Sequence, residues 1–100
     1  MMIRIANAKD VAMGRMHVFD VEGAKVNVVN VSGRLYAFDD TCTHRGCSLS
    51  RGTLHGTTVT CPCHGSKFDV TTGAVLRGPA MRPVRSRLVQ VEHEELLTEA

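Results

Sequence analysis

Tryptophan is missing from the chain, and its 100 residues include only one Tyr and three Phe, so the core has to be built mostly from aliphatic side chains. Charge of one sign does not dominate either. Twelve basic and ten acidic residues leave a net +2, a balance too even to point at nucleic acid. No apolar run approaches the length that crosses a bilayer, so no membrane span or anchor is expected. The opening MMIRIANAKDVAMG has no signal-peptide run, twin arginine or cleavage site, so the cytoplasm is the expected location. Sustained helical periodicity is also absent; the best candidate, residues 8–13, is short. The length suits one domain.

What is present is a succession of short β-branched segments. Residues 16–38 are dense in them, and VNVVNV (26–31) followed by LYAF predicts two strands joined at Ser32-Gly33. The alternation slips between Val28 and Val29, which fits either a bulge or a strand buried on both faces. A turn at His55-Gly56 precedes the strand-like run 57–61, and KFDVTTGAVL predicts a hairpin turning at 71–73. A last pair, roughly 85–92 and 95–97, closes around an acidic turn. No internal repeat is evident. Many short strands with frequent turns predict an all-β fold, a small antiparallel barrel or sandwich.

All four cysteines and two of the five histidines fall in CTHRGC (42–47) and CPCHGS (61–66), which the strand pattern places at loop tips. A reducing compartment disfavours structural disulfides, so such cysteines read first as metal ligands or redox groups. Cys61-x-Cys63 is tighter than the Cys-x-x-Cys of a zinc knuckle, and a zinc ribbon is disfavoured. A binuclear cluster suits the spacing better, because each loop can offer one thiolate to one iron and one imidazole to the other.

With KFDVTTGAVLRGPA following, this pattern resembles the Rieske [2Fe-2S] family over residues 42–80, with the cluster-binding part of a single 1–100 domain at about 41–81. The resemblance implies one cluster per chain, Cys42 and Cys61 on one iron and His44 and His64 on the other through Nδ1. Imidazole ligation lifts the potential into a range of roughly −150 to +300 mV. A bound imidazole can lose its second ring proton, which couples reduction to proton uptake. The resemblance further implies a Cys47–Cys63 disulfide pinning the loops together, with free thiols as the alternative. Gly46, Gly65 and Ser66 would bring hydrogen-bond donors to the cluster sulfurs, and a loop at Gly78-Pro79-Ala80 would shield it.

Two positions depart from the quinol-oxidising members. Phe68 stands where they have a Tyr that donates to a ligand sulfur, which lowers the expected potential, and Arg45 stands where they have a Leu that docks in an apolar pocket. The reading that follows is a monomeric one-electron carrier, not an enzyme, passing electrons from a flavin-dependent NAD(P)H reductase to a terminal oxygenase, with no nucleic-acid partner. A permanently bound small subunit of a larger oxidoreductase is the second reading, and a redox sensor the third. His17, His55 and His93 read as structural or solvated. Arg77, Arg82, Arg85 and Arg87 read as solvated strand faces, with a patch that docks an acidic partner as the alternative.

Overall fold

The computed structural model describes residues 1–99. It is all-β and antiparallel. Eleven strands follow in chain order: β1 Met2–Asn7, β2 Met16–Val21, β3 Ala24–Val31, β4 Arg34–Asp39, β5 Thr53–His55, β6 Thr58–Thr60, β7 Lys67–Asp69, β8 Val75–Arg77, β9 Ser86–Arg87, β10 Val89–Glu92 and β11 Glu95–Glu99. They make three sheets, ordered β1-β11-β10, β2-β3-β4-β9 and β5-β6-β7-β8.

The β3–β4 hairpin turns where expected, with Ser32 at φ 53° and Gly33 at φ 91°, the left-handed pair of a two-residue hairpin loop. The slip at Val28 and Val29 is not a bulge. Residues of β3 pair with β2 and β4 without a register shift, and Val26, Asn27, Val28 and Val29 are all fully buried. Val26 and Val28 pack with Ala6, Val11, Val21 and Leu96, whereas Val29 joins Phe38, Leu49, Val59 and Phe68 in a second cluster. Strand β3 is thus a wall between two cores, and that is why its sequence does not alternate.

In keeping with its short periodicity, the segment 8–13 forms no α-helix; a single 3-10 turn at Ala8–Asp10 is capped by Asn7, whose side chain accepts from Lys9 N–H while Asp10 bonds back to the Asn7 N–H. One element differs from the sequence reading: the segment 85–92 divides at Leu88. Its first part, β9, pairs with β4, and its second part, β10, pairs with β11 in another sheet. The acidic turn itself is in place, with His93 and Glu94 at φ 51° and 67°. Strand β1 pairs with β11 and so joins the two chain ends.

Arg87 corrects an expectation. It is buried instead of solvated, its Nε donating to Asp39 Oδ1 at 2.6 Å and its Nη1 to Glu99 O at 3.0 Å. Arg77, Arg82 and Arg85 are exposed as expected. His17 is exposed and stacks on Phe19, with ring centroids 4.5 Å apart.

Candidate metal centre

The loop between β4 and β5 and the loop between β6 and β7 share one backbone frame. In the first, Cys42 N–H donates to Cys47 O at 2.8 Å and Gly46 N–H to Cys42 O at 2.9 Å; in the second, Cys61 N–H donates to Ser66 O at 2.8 Å and Gly65 N–H to Cys61 O at 3.2 Å. Gly46 and Gly65 have φ of 77° and 78°. This left-handed conformation favours glycine at each loop's fifth place. The bases match as well, since Thr41 bridges Ser48 just as Thr60 pairs with Lys67. A local repeat therefore exists in space, although only Thr, Cys and Gly coincide in TCTHRGCS and TCPCHGSK.

Cys42 and Cys61, which open the two loops, are 2% and 3% exposed and belong to the core that holds Phe68. This corrects the expectation that all the candidate ligands lie at loop tips away from a core. The imidazoles do lie outward. His44 is half-buried and His64 exposed, and their rings meet edge-on with centroids 5.2 Å apart. Cys47 and Cys63 form a disulfide across the two loops, with Cα atoms 6.5 Å apart. Cys61 Sγ lies within 4.8 Å of both sulfurs of that bridge.

Burial pushes the Cys61 thiol above its usual value; the Cys63 N–H opposes this by stabilising the thiolate, the neighbouring Cys42 sulfur adds to it, and the His64 N–H again opposes. Two thiols that disfavour each other's ionisation, with backbone donors already aimed at one of them, are suited to share a cation. Ser66 is fully buried and its Oγ accepts from Ala80 N–H at 3.0 Å, which ties the second loop to the segment carrying Pro79. Pro79 is exposed, and the hydroxyl proton of Ser66 remains available to a further acceptor. Thr43 Oγ1 donates to Arg82 O at 2.6 Å and ties the first loop to the same segment. Gly46 is exposed, Gly65 half-buried and Phe68 fully buried.

One residue escaped the sequence reading. Asp40, two places before Cys42, is 3% exposed and accepts three bonds: from Asn27 Nδ2 at 3.1 Å, Ser50 N–H at 2.8 Å and Ser50 Oγ at 3.0 Å. Its own carbonyl accepts from Leu49 N–H at 2.7 Å. Asp40 thus clamps both ends of the first loop onto β3. The one signal it gave was a second acid beside Asp39 at the end of a strand.

Known proteins share this arrangement. Residues 1–90 match the model of the Rieske [2Fe-2S] domain. The chain is 35% identical over 96 residues to the ferredoxin component of biphenyl 2,3-dioxygenase from Rhodococcus jostii (strain RHA1), covering 96% of this chain and 90% of that one. With ferredoxin CarAc of Metapseudomonas resinovorans it shares 37% identity over 95 residues, 94% of this chain and 89% of the other. Among solved structures, the ferredoxin of carbazole 1,9a-dioxygenase from Nocardioides aromaticivorans IC177 superposes with a TM-score of 0.93 at 34% identity, covering 98% and 96% of the two chains. The group that such a domain implies is a [2Fe-2S] cluster, and the donor set of the two loops fits it: two adjacent buried thiols, two outward imidazoles and a buried hydroxyl with a free proton. By its sequence, its fold and the chemistry of these two loops, the chain belongs to the Rieske [2Fe-2S] domain family.

Proposed function

We propose that the chain, a single domain over 1–100 with its cluster-binding part at about 41–81, is a cytoplasmic, monomeric one-electron carrier of an oxygenase system. The observation that carries this reading is the convergence of two matching loops, which sets Cys42 and Cys61 inward and His44 and His64 outward at one end of the fold. Cys42 and Cys61 would hold one iron of a single [2Fe-2S] cluster, and His44 and His64 the other. The bound cluster supplies a one-electron couple whose imidazole ligation places it within roughly −150 to +300 mV. The core around Cys42 and Cys61 would shield the iron they hold, and the His44 and His64 rings would be the part that a partner approaches, so electron exchange would run on the histidine side.

The chain's own groups set the environment. Ser66, held by Ala80 N–H, has a hydroxyl proton that would be free to bond a cluster sulfur, and the Cys63 and His64 N–H groups support the Cys61 thiolate; such donors would raise the potential. Phe68 has no hydroxyl and gives no donor, which keeps the potential below that of a site with Tyr there. Cys47–Cys63 fixes the distance between the loops.

The relatives are ferredoxin components of dioxygenase systems, and a solved complex of oxygenase with ferredoxin in carbazole 1,9a-dioxygenase contains a chain that this one matches at TM-score 0.91 and 35% identity. By that likeness the electron acceptor is a terminal oxygenase; the donor proposed with it, from the family resemblance, is a flavin-dependent reductase. A reductase drawing on NAD(P)H works in the cytoplasm, and there the closeness of the two loops raises the effective concentration of the thiols and opposes reduction of the disulfide. No helix among the described residues is long and apolar enough to cross a membrane.

The test is an EPR spectrum of the dithionite-reduced protein together with protein-film voltammetry from neutral to alkaline pH. A low-average-g Rieske signal with a potential that falls as pH rises supports the reading. An EPR-silent protein, holding zinc or no metal by elemental analysis, would sink it.

A further inference from the structure

The charges of the chain are sorted by subdomain. Residues 41–85 carry six cations, Arg45, Arg51, Lys67, Arg77, Arg82 and Arg85, against the single acid Asp69. The remaining residues hold six basic and nine acidic side chains, so the overall +2 divides into +5 at the cluster end and −3 on the body. All four ion pairs among the described residues, Arg4–Glu95, Lys9–Glu94, Lys25–Asp20 and Arg87–Asp39, lie on the body. None of the six cluster-end cations takes part in one. Asp69 turns its Oδ1 to the Thr71 N–H and hydroxyl instead.

Several of these cations flank the two loops, while Arg85 stands at the boundary with the body, its carbonyl accepting from Asp39 N–H at 2.9 Å. Arg45 is exposed directly after His44, and Arg82 is fixed beside the first loop because its carbonyl accepts from Thr43 Oγ1. Arg51 lines a cleft of about 310 Å³ together with Pro62 and the two disulfide cysteines. Lys67 and Arg77 are direct cross-strand partners on β7 and β8. Like charges placed opposite each other destabilise a sheet, and no acid in the fold neutralises this pair. In the same stretch of chain, Met81 is 92% and Leu76 55% exposed, and Pro62 and Pro79 are exposed too. An apolar centre with a charged rim is the form of a transient protein interface.

We infer that the cluster end docks an acidic protein surface, so that the redox partner presents carboxylates around its own electron-entry point. The inference rests on the carrier reading and adds the chemistry of the partner. Nucleic acid fits less well, because residues 41–85 hold no Trp or Tyr and their one Phe, Phe68, is buried, which leaves few platforms for base stacking.

Stopped-flow oxidation of the reduced protein by two cobalt(III) complexes of opposite charge, Co(EDTA)⁻ and Co(NH₃)₆³⁺, reads the field at the electron exit; each cobalt takes one electron and becomes cobalt(II). Raising ionic strength from about 10 to about 300 mM shortens the Debye length from about 30 to about 6 Å, and should slow the anionic oxidant and speed the cationic one. In Arg45→Gln/Arg51→Gln/Arg82→Gln the anionic-to-cationic rate ratio at low salt should fall about tenfold, while Glu94→Gln/Glu95→Gln on the body leaves it within about twofold. A ratio indifferent to salt and to the triple variant overturns the inference. Failure of the carrier reading is separately visible, as a protein without the EPR signal before any kinetics begin. In that case labelled poly-L-glutamate reads the surface by anisotropy: binding that weakens in the triple variant upholds an acidic partner. Tighter binding of a DNA duplex at matched charge and salt reassigns the patch to nucleic acid and overturns the inference.

Discussion

The two loops that converge on the metal centre have the same backbone and are secured differently. In the first, the residue whose carbonyl closes the frame is Cys47, and its side chain is a covalent staple to the other loop; in the second it is Ser66, whose hydroxyl meets Ala80 N–H. The first loop is additionally clamped from behind by Asp40, a buried carboxylate with three donors, and from the side by Thr43 on Arg82. The second loop continues directly into the paired strands β6 and β7. A loop that springs from a strand pair inherits its register, whereas one that ends in the 3-10 turn Leu49–Arg51 must be fixed by side chains. Identical frames thus need different amounts of support according to what flanks them.

Breaking the frame at its origin is expected to have the largest effect. Cys42→Ala and Cys61→Ala each remove one of two thiolates and should abolish cluster incorporation, read as loss of iron and of the visible absorbance, with the strand content of the far-UV spectrum retained. Equal loss in both would support equivalent roles for the loops, and full retention in either would remove that residue from the ligand set.

The Asp40 clamp comes next. Asp40→Ala leaves the Asn27 amide and the Ser50 N–H without their buried acceptor, and should cost roughly 3 kcal/mol, seen as a fall in the thermal midpoint. Thr60, which precedes Cys61 and is the nearest polar residue at the base of the second loop, is half-buried and carries no such network. Thr60→Ala should therefore cost well under half as much; a similar cost would erase the asymmetry between the loops.

Cys47→Ser/Cys63→Ser opens a bridge that spans a sequence separation of 16, for which chain entropy predicts about 3 kcal/mol in the cluster-free protein. In the loaded protein the cluster already joins the loops, and the loss measured by denaturant unfolding should be smaller. An equal loss in both forms would show that the two ties act independently.

The finest comparison uses the matched glycines. A Cβ at Gly65 meets nothing within 4 Å, and one at Gly46 meets only Thr41 Cγ2 at 3.9 Å, so space is not limiting at either site. Gly46→Ala and Gly65→Ala should each cost about 1 to 2 kcal/mol from the left-handed backbone alone, equal within error by chemical denaturation. A difference larger than about 1 kcal/mol would mean that the loops are not held alike.

How far the sequence could be read depended on how local each feature is. The ligand candidates were legible because Cys-x-His and Cys-x-Cys-His are contiguous, and a hairpin such as Ser32-Gly33 announces itself by its turn residues. Asp40 was not legible. Next to Asp39 it looks like one of two loop acids, and only the arrival of Ser50 and Asn27 from elsewhere makes it a buried anchor. Arg87 was misread as solvated because its partners Asp39 and Glu99 O lie 48 and 12 residues away. The shared frame of the two loops was hidden for a similar reason, since it is written in backbone hydrogen bonds and left-handed glycines more than in side-chain identity.

By itself the sequence determined the all-β class, the two loops that carry the candidate ligands, the family resemblance and the turns, all of which rest on residue chemistry and spacing within a few positions. The tertiary structure alone decided that β3 is buried on both faces, that Cys42 and Cys61 sit in the core while the imidazoles face outward, and that none of the six cations of residues 41–85 joins an ion pair among the described residues. These follow from contacts between distant segments. Burial and the pairing of charges are properties of the space between strands, and no single stretch of chain contains them.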